Sequence, residues 1–179
     1  MVPATRDTSR VGSGDEPLRH PRRLPRRLAR APIGVFRLGL GGVFAGRLLM
    51  LDHRGRRSGR IRSVVLETVA REGRAHVVVS GYGWSAQWLR NIAADPRVRL
   101  WSGWGSGRRA RAEILSPAQG LAVLEDYRRA HPRAARLLSR ALNLGPLMPD
   151  QPLPAGAAAR LPVVRITPLQ RMRSRRRRP

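Results

Sequence analysis

Ile61-Arg62-Ser63-Val64-Val65-Leu66-Glu67-Thr68-Val69-Ala70, followed by Arg71-Glu72-Gly73-Arg74 and then Ala75-His76-Val77-Val78-Val79-Ser80, spells two strand-like runs around four residues of turn chemistry. Val, Ile and Thr flanking a Gly-containing turn predict a β-hairpin. Upstream, Leu48 to His53 is a further strand-like run, joined to the hairpin by the Arg54 to Arg60 turn. Downstream, Gly81 to Gly83 break the chain. Trp84 to Ala94 then reads as a short helix with Trp84, Trp88 and Ile92 at i, i+4 and i+8 on one face, stopped by Asp95-Pro96. Val98 to Trp101 and Arg108 to Leu115 pair around the Gly-rich Ser102 to Gly107 turn, and Leu161 to Thr167 is the last strand. Six strands with helices inserted between antiparallel pairs predict an α+β fold built on a small barrel.

Between those strands, Ser116-Pro117 has the chemistry of a helix start, with Leu121, Leu124 and Tyr127 on its apolar face as far as His131-Pro132. A second short helix is expected to run to Leu142, followed by a Pro/Gly/Ala-rich connection from Asn143 to Arg160. At the other end, residues 1–20 read as a disordered leader and 169–179 as a basic disordered tail, which leaves 21–168 as a single domain. Pro21 to Leu51 mixes Arg pairs with Leu24, Leu28, Ile33, Val35, Phe36, Leu38 and Leu40, which predicts a basic amphipathic helix followed by a Gly-loosened one. The first reading of such a helix is that it covers one side of the core. The second is peripheral contact with anionic membrane through Arg22 to Arg37.

The 179 residues carry 36 basic side chains against 11 acidic ones, a net charge of +25, and every basic residue is Arg. A chain without Lys reflects base composition first, so the charge says that partners are anionic without saying which. There is no Cys, which excludes disulfides, zinc fingers, iron–sulfur clusters and cysteine nucleophiles, and allows a reducing, cytoplasmic compartment. Ala31 to Leu51 is the longest apolar stretch, but Arg37, Arg47 and five glycines interrupt it below the ~18 apolar residues a spanning helix needs. His20, His53, His76 and His131 share no metal-ligand spacing, so no metal is expected. Nor is there a G-x-S-x-G elbow or a carboxylate pair for hydrolysis.

The chemistry-bearing segment is Arg54-Gly55-Arg56-Arg57-Ser58-Gly59-Arg60-Ile61-Arg62-Ser63. Its glycines let backbone N–H groups approach a ligand, and its guanidinium forks and hydroxyls suit phosphate and carboxylate. It lacks the Walker Lys and the following helix, so it is an anion cradle without the marks of a nucleotide triphosphatase. Read alone, it is equally a solvated basic hairpin. It is followed by Ser80-Gly81-Tyr82-Gly83, by Trp88-Leu89-Arg90-Asn91 and by Asp95-Pro96-Arg97-Val98, and the late strand is Pro162-Val163-Val164-Arg165-Ile166-Thr167-Pro168. In that order and spacing, G-R-x-[ST]-G-x-x-R, a strand ending in Ser, W-x-x-N and D-P-x-V resemble the deazaflavin-dependent nitroreductase and F420H2-dependent quinone reductase family, over about Leu48 to Pro168.

The resemblance implies a split β-barrel of the flavin-reductase type that binds coenzyme F420, a deazaflavin with a phosphate and an oligoglutamate tail. It places Arg56, Arg57 and Ser58 on the phosphate and tail, and Arg62, Ser63, Val64 and Val65 along the cofactor. Val78, Val79, Ser80 and Gly81 fall at the ring edge, with Gln87, Trp88 and Asn91 closing the pocket. Ser80 is the candidate catalytic group, as a hydrogen-bond donor or proton relay. Tyr82, Trp84 and Tyr127 are the candidate substrate-pocket residues. The chain departs from the family in having Gly81 where Lys is common and a shorter loop before W-x-x-N. The implied activity is hydride transfer from reduced F420 to a quinone, nitro compound or activated alkene. Alternatives are a non-catalytic flavin or deazaflavin carrier, with FMN as the other cofactor, and a basic nucleic-acid-binding module, which the helical core spacing of two tryptophans disfavours. A monomer and a homodimer are both compatible with a barrel of this size.

Overall fold

Gly73 takes φ +57° and lets the Arg71 to Arg74 segment turn tightly, joining β2 (Ile61–Glu72) to β3 (Ala75–Val79). In the computed structural model, described for residues 26–132, 153 and 156–170, these strands close into one antiparallel barrel with β1 (Leu48–Arg54), β4 (Arg97–Trp101), β5 (Arg108–Ile114) and β6 (Val163–Pro168). Around the barrel the order is β1-β2-β3-β6-β5-β4. Among the described residues four α-helices accompany the strands: α1 (Arg26–Arg37), α2 (Gln87–Ala94), α3 (Pro117–Ala130) and α4 (Ala157–Arg160).

Strand alternation sets which residues fill the barrel. Leu49 and Leu51 of β1 stand opposite Leu66 and Val64 of β2, and with Val78, Leu100, Ala112, Val164 and Ile166 they form the interior, closed by Trp88, Leu89 and Ile92 of α2. Each large side chain buried there stabilises the fold by roughly 1.5–3 kcal/mol. The residues in between face outward and need cover. Phe36 of α1, with Ile33 and Phe44, packs over Met50, Val65 and Trp101. On another wall α3 and α4 bring Leu124, Ala157 and Ala158 over Val77 and Val163. The start of α3 is the expected one: Ser116 Oγ accepts from Gln119 N at 3.3 Å, and Gln119 Oε1 accepts from Ser116 N at 3.1 Å.

Two expected helices differ from their sequence reading. The Gly-loosened helix after α1 is one 3₁₀ turn, Gly41–Phe44, because Ala45 (φ 48°) and Gly46 (φ 77°) take left-handed conformations that no helix continues through. The run from Trp84 to Ala94 is split into a 3₁₀ turn, Gly83–Ser85, and α2, because Ala86 is extended at φ −62°, ψ 122°. The i, i+4, i+8 stripe therefore loses its first member: Trp88 and Ile92 are buried while Trp84 is 49% exposed. The leader, the helix expected to end at Leu142, most of the Asn143 to Arg160 connection and the tail beyond Gln170 lie outside the described residues.

One feature of the sheet positions the site. β2 is paired with β1 along Ile61 to Glu67, but its register with β3 begins only at Thr68. Its first half thus has a strand partner on one side, among the described residues. The other edge is open, and the Tyr82 to Trp88 segment faces it.

Candidate functional site

Between the open edge of β2 and that segment lies a crevice of about 510 Å³, lined by Arg62, Ser63 and Val64, by Tyr82, Ala86, Gln87 and Trp88, and by Ile33 and His53. Its walls are apolar where the barrel core reaches the surface and cationic at the mouth. At its mouth, tied to the lining residue Gln87 through Arg56, stands the Arg54 to Arg60 turn, closed by Gly55 N donating to Arg60 O at 2.8 Å and Gly59 N donating to Gly55 O at 2.7 Å. Gly59 has φ +64°, and a Cβ on Gly55 would stand 2.9 Å from Ser58 Oγ and 3.3 Å from Arg62 Nε. Glycine at 55 is what lets Arg62 lie against the turn.

Arg56 ties the turn to α2. Its backbone N and its Nη1 each donate to Asn91 Oδ1 at 3.1 Å, and Nη1 also donates to Gln87 Oε1 at 3.0 Å. Asn91, 3% exposed, in turn lies 3.2 Å through Nδ2 from Nδ1 of His53, which is 4% exposed. Burial holds the His53 imidazole below its ordinary pKa; the Arg54 backbone and the Asp52 charge oppose that, and the Arg62 charge adds to it. Arg57, Arg60 and Arg62 make no ion pair among the described residues. An anion at this mouth meets guanidinium forks that no carboxylate among the described residues has neutralised.

Of the residues expected in the site, Arg62, Ser63, Val64, Gln87 and Trp88 line the crevice, Tyr82 is at its rim, Arg57 and Ser58 belong to the mouth, and Arg56 and Asn91 bind mouth to wall. Others are placed elsewhere, for reasons of strand phase and packing. Val65 faces outward under α1, Val78 is sealed in the barrel interior, and Val79 packs with the cluster beneath α3. Ser80 is fully buried, and its hydroxyl donates to the Gly83 carbonyl at 2.8 Å, so it fastens the turn that includes Gly81. Tyr127 is on α3 and lines no part of the crevice: it is buried beside the His131 ring at 5.1 Å, and burial and the Glu67 charge raise its pKa. Trp84 is on the exposed 3₁₀ turn, where its carbonyl accepts from Arg90 Nε at 2.6 Å.

Of the residues lining the crevice, Ile33, His53 and Ala86 escaped the sequence reading, as did Asp52 on the other face of β1. His53 was signalled by its phase, since it alternates with Leu49 and Leu51 and so must face inward. Asp52 was signalled by nothing local. It points out of the barrel, 6% exposed, and accepts from Trp101 Nε1 (2.9 Å), Ser63 Oγ (2.7 Å) and Arg37 Nη2 (2.9 Å), while the Arg37 guanidinium stands 5.1 Å from the centre of the Trp101 ring.

Residues 34–130 match the family model described as F420H(2)-dependent quinone reductase. No curated protein matches the chain. Among solved structures, an F420-H2 dependent reductase (FDR-A) is 21% identical, with 67% of this chain and 93% of that one covered and a TM-score of 0.42. A pyridoxamine 5'-phosphate oxidase-related, FMN-binding protein from Nostoc punctiforme is 15% identical over 82% of each chain, with a TM-score of 0.48. General stress protein 26 from Bacillus anthracis is 14% identical, with 75% and 88% covered and a TM-score of 0.46.

Proposed function

The chain belongs to the F420H(2)-dependent quinone reductase family, and we propose on that premise that it reduces an electron-poor acceptor, a quinone, nitro compound or activated alkene, in the crevice beside β2. It is an oxidoreductase, and its coenzyme is F420. The residues present fit that group. Arg57, Arg60 and Arg62, without carboxylate partners among the described residues, suit a phosphate and a polyanionic tail, and the apolar walls made by Val64, Ala86 and Trp88 suit a planar ring. Bound reduced F420 supplies a hydride.

The protein's own part is to hold, orient and dry the reacting partners. Arg62, with Arg57 and Arg60, fixes the charged end at the mouth. The open edge of β2 offers backbone N–H and C=O groups along the crevice, and such an edge pairs readily with amide-like ligand groups. Trp88 and Val64 exclude water from the inner end, which favours hydride transfer over loss to solvent. Tyr82, exposed at the rim, and the Nε2 end of Gln87, whose Oε1 is held by Arg56, are placed to meet the acceptor. The observation that carries this reading is the junction of an uncompensated arginine turn with an apolar crevice. The test is anaerobic: reduced F420 is mixed with protein and a quinone, a nitroarene or an enone. Protein-dependent loss of reduced F420 with at least one acceptor supports the reading, and none with any of the three refutes it.

A membrane contact accompanies the reading, at a different place from the one the basic helix suggested. Phe36 is buried and Ile33 half-buried against the barrel, so the described apolar face of α1 is covered. Leu38, Leu40 and Val43 just beyond it are exposed, next to the exposed Trp104 whose ring backs Gly42. Aromatic and aliphatic side chains flanked by Arg74, Arg108 and Arg109 have the composition of an interfacial contact with anionic lipid. No helix of the described residues is long and apolar enough to cross a membrane.

A further inference from the structure

His53 makes no ion pair among the described residues, and its neighbours dictate where its proton sits. Asn91 Oδ1 already accepts two hydrogen bonds from Arg56, from the backbone N and from Nη1, each at 3.1 Å. Turning the amide over would set an NH2 group against both donors, so the amide orientation is fixed. Its Nδ2, which can only donate, then lies 3.2 Å from His53 Nδ1. That ring nitrogen must be the acceptor, and the proton of a neutral ring is on Nε2. The little surface His53 keeps belongs to the lining of the crevice and of an adjoining one of about 650 Å³ that continues along the barrel rim past Arg54 and Val98.

We propose that His53 is a ligand-binding residue, held by the Arg56–Asn91 pair as a neutral Nε2–H donor for a carbonyl or anionic oxygen of the molecule bound in the crevice. The proposal rests on the reading of the crevice as the F420 site. It gives the Arg54 to Arg60 turn a second task. The segment that holds the anionic end of the ligand also sets, through Asn91, the donor that meets its ring or the acceptor. Arg56 retains that control when its guanidinium is drawn toward an anion, because its backbone N still donates to Asn91. The Arg54 backbone also reaches the ring, and besides it and Asn91 no hydrogen-bond partner of His53 is found among the described residues.

Two measurements on the full chain test this. Nitrogen-15 NMR of histidine-labelled protein, with the resonances assigned through His53→Gln, is expected to show a neutral Nε2–H ring at pH 7. An Nδ1–H ring bonded to the Arg54 carbonyl, or an imidazolium, overturns the proposal. Equilibrium titration with oxidised F420 reads the ligand role: His53→Leu is expected to weaken binding about tenfold, the scale of one lost buried donor, and His53→Gln, which keeps an N–H, by less than about threefold. Equal affinities for the parent chain and both variants overturn the ligand role even where the tautomer is as expected. Failure of the parent chain to bind F420 overturns the reading of the crevice and the ligand role together, while the tautomer result stands on the NMR of the free protein. His53→Gln retains size and polarity, so the comparison survives if His53→Leu does not fold.

Discussion

Asp52 and His53 follow one another on β1 and face opposite sides of the barrel wall, each across from a β2 residue: Asp52 from Ser63 on the outside, His53 from Arg62 on the inside. The outer pair is closed. The Asp52 carboxylate is satisfied by Trp101, Ser63 and Arg37, and the guanidinium of Arg37 is in turn neutralised, so the group clasps α1 to the barrel. On the inside, burial holds the His53 imidazole below its ordinary pKa, Arg62 has no carboxylate partner among the described residues, and a crevice lies beside them. Identical strand geometry thus yields a structural clasp on one face and the proposed binding wall on the other. Whether the polar groups satisfy one another decides which.

Breaking the clasp has the largest expected effect. Asp52→Ala leaves the buried Trp101 N–H and the Arg37 charge without their acceptor and is expected to cost about 3–5 kcal/mol in urea unfolding, with F420 affinity of the folded fraction little changed. Next comes His76, a second buried inward-facing histidine, which lines neither of the crevices beside His53. Burial, with the Arg71 charge, lowers its pKa from 6.5 to about 4, and Thr68 Oγ1 lies 3.3 Å from its Nδ1. The unfolded chain takes up this proton below about pH 6.5 and the folded chain only near pH 4, so stability is highest above that window. It is expected to fall by up to about 3 kcal/mol as the pH drops from 6.5 to 4, and His76→Gln to flatten the fall.

Arg62→Gln sharpens the comparison from the other side. Removing one charge-assisted contact is expected to weaken F420 binding about 10- to 100-fold, with stability changed by less than about 0.5 kcal/mol, since Arg62 pairs with no carboxylate among the described residues. The smallest effect belongs to Arg165, which donates to Glu72 (2.6 Å) and Glu113 (3.2 Å) on the far wall. Arg165→Met is expected to cost under about 1 kcal/mol in thermal or urea unfolding and to leave F420 affinity unchanged. Arginine content alone therefore does not identify the site; what matters is which arginines lack an acid.

Much of this was legible in the chain. The β2–β3 hairpin, the Ser116 capping box and the six strands follow from local chemistry, because Gly73, Ser116 and the alternation of Leu49, Leu51, Val64 and Leu66 act within a few residues of themselves. The W-x-x-N segment and the Arg54 to Arg62 turn were legible as a pattern, and Arg62, Val64, Gln87 and Trp88 do meet at one crevice. What was not legible depends on closure. Ser80 and Val78 are sealed because β6 and the Gly83 turn close over them, and Tyr127 goes to the outer wall because α3 packs beside α4. Trp84 left its expected face through a single extended residue, Ala86, which periodicity does not register. Asp52 is 11 residues from Ser63, 15 from Arg37 and 49 from Trp101, a clasp that exists only once the barrel is shut.

The central claim, that the uncompensated arginine turn and the adjoining crevice form one F420 site, is tested most directly by titrating the purified chain with oxidised F420 and, in parallel, with the same deazaflavin chromophore lacking phosphate and glutamates, at low and moderate salt. Saturable one-to-one binding of F420 that survives moderate salt is expected, with the tail-less chromophore binding at least about tenfold more weakly and losing nothing further in Arg62→Gln. Equal affinity for the two ligands, or F420 affinity unchanged by Arg62→Gln, would contradict it.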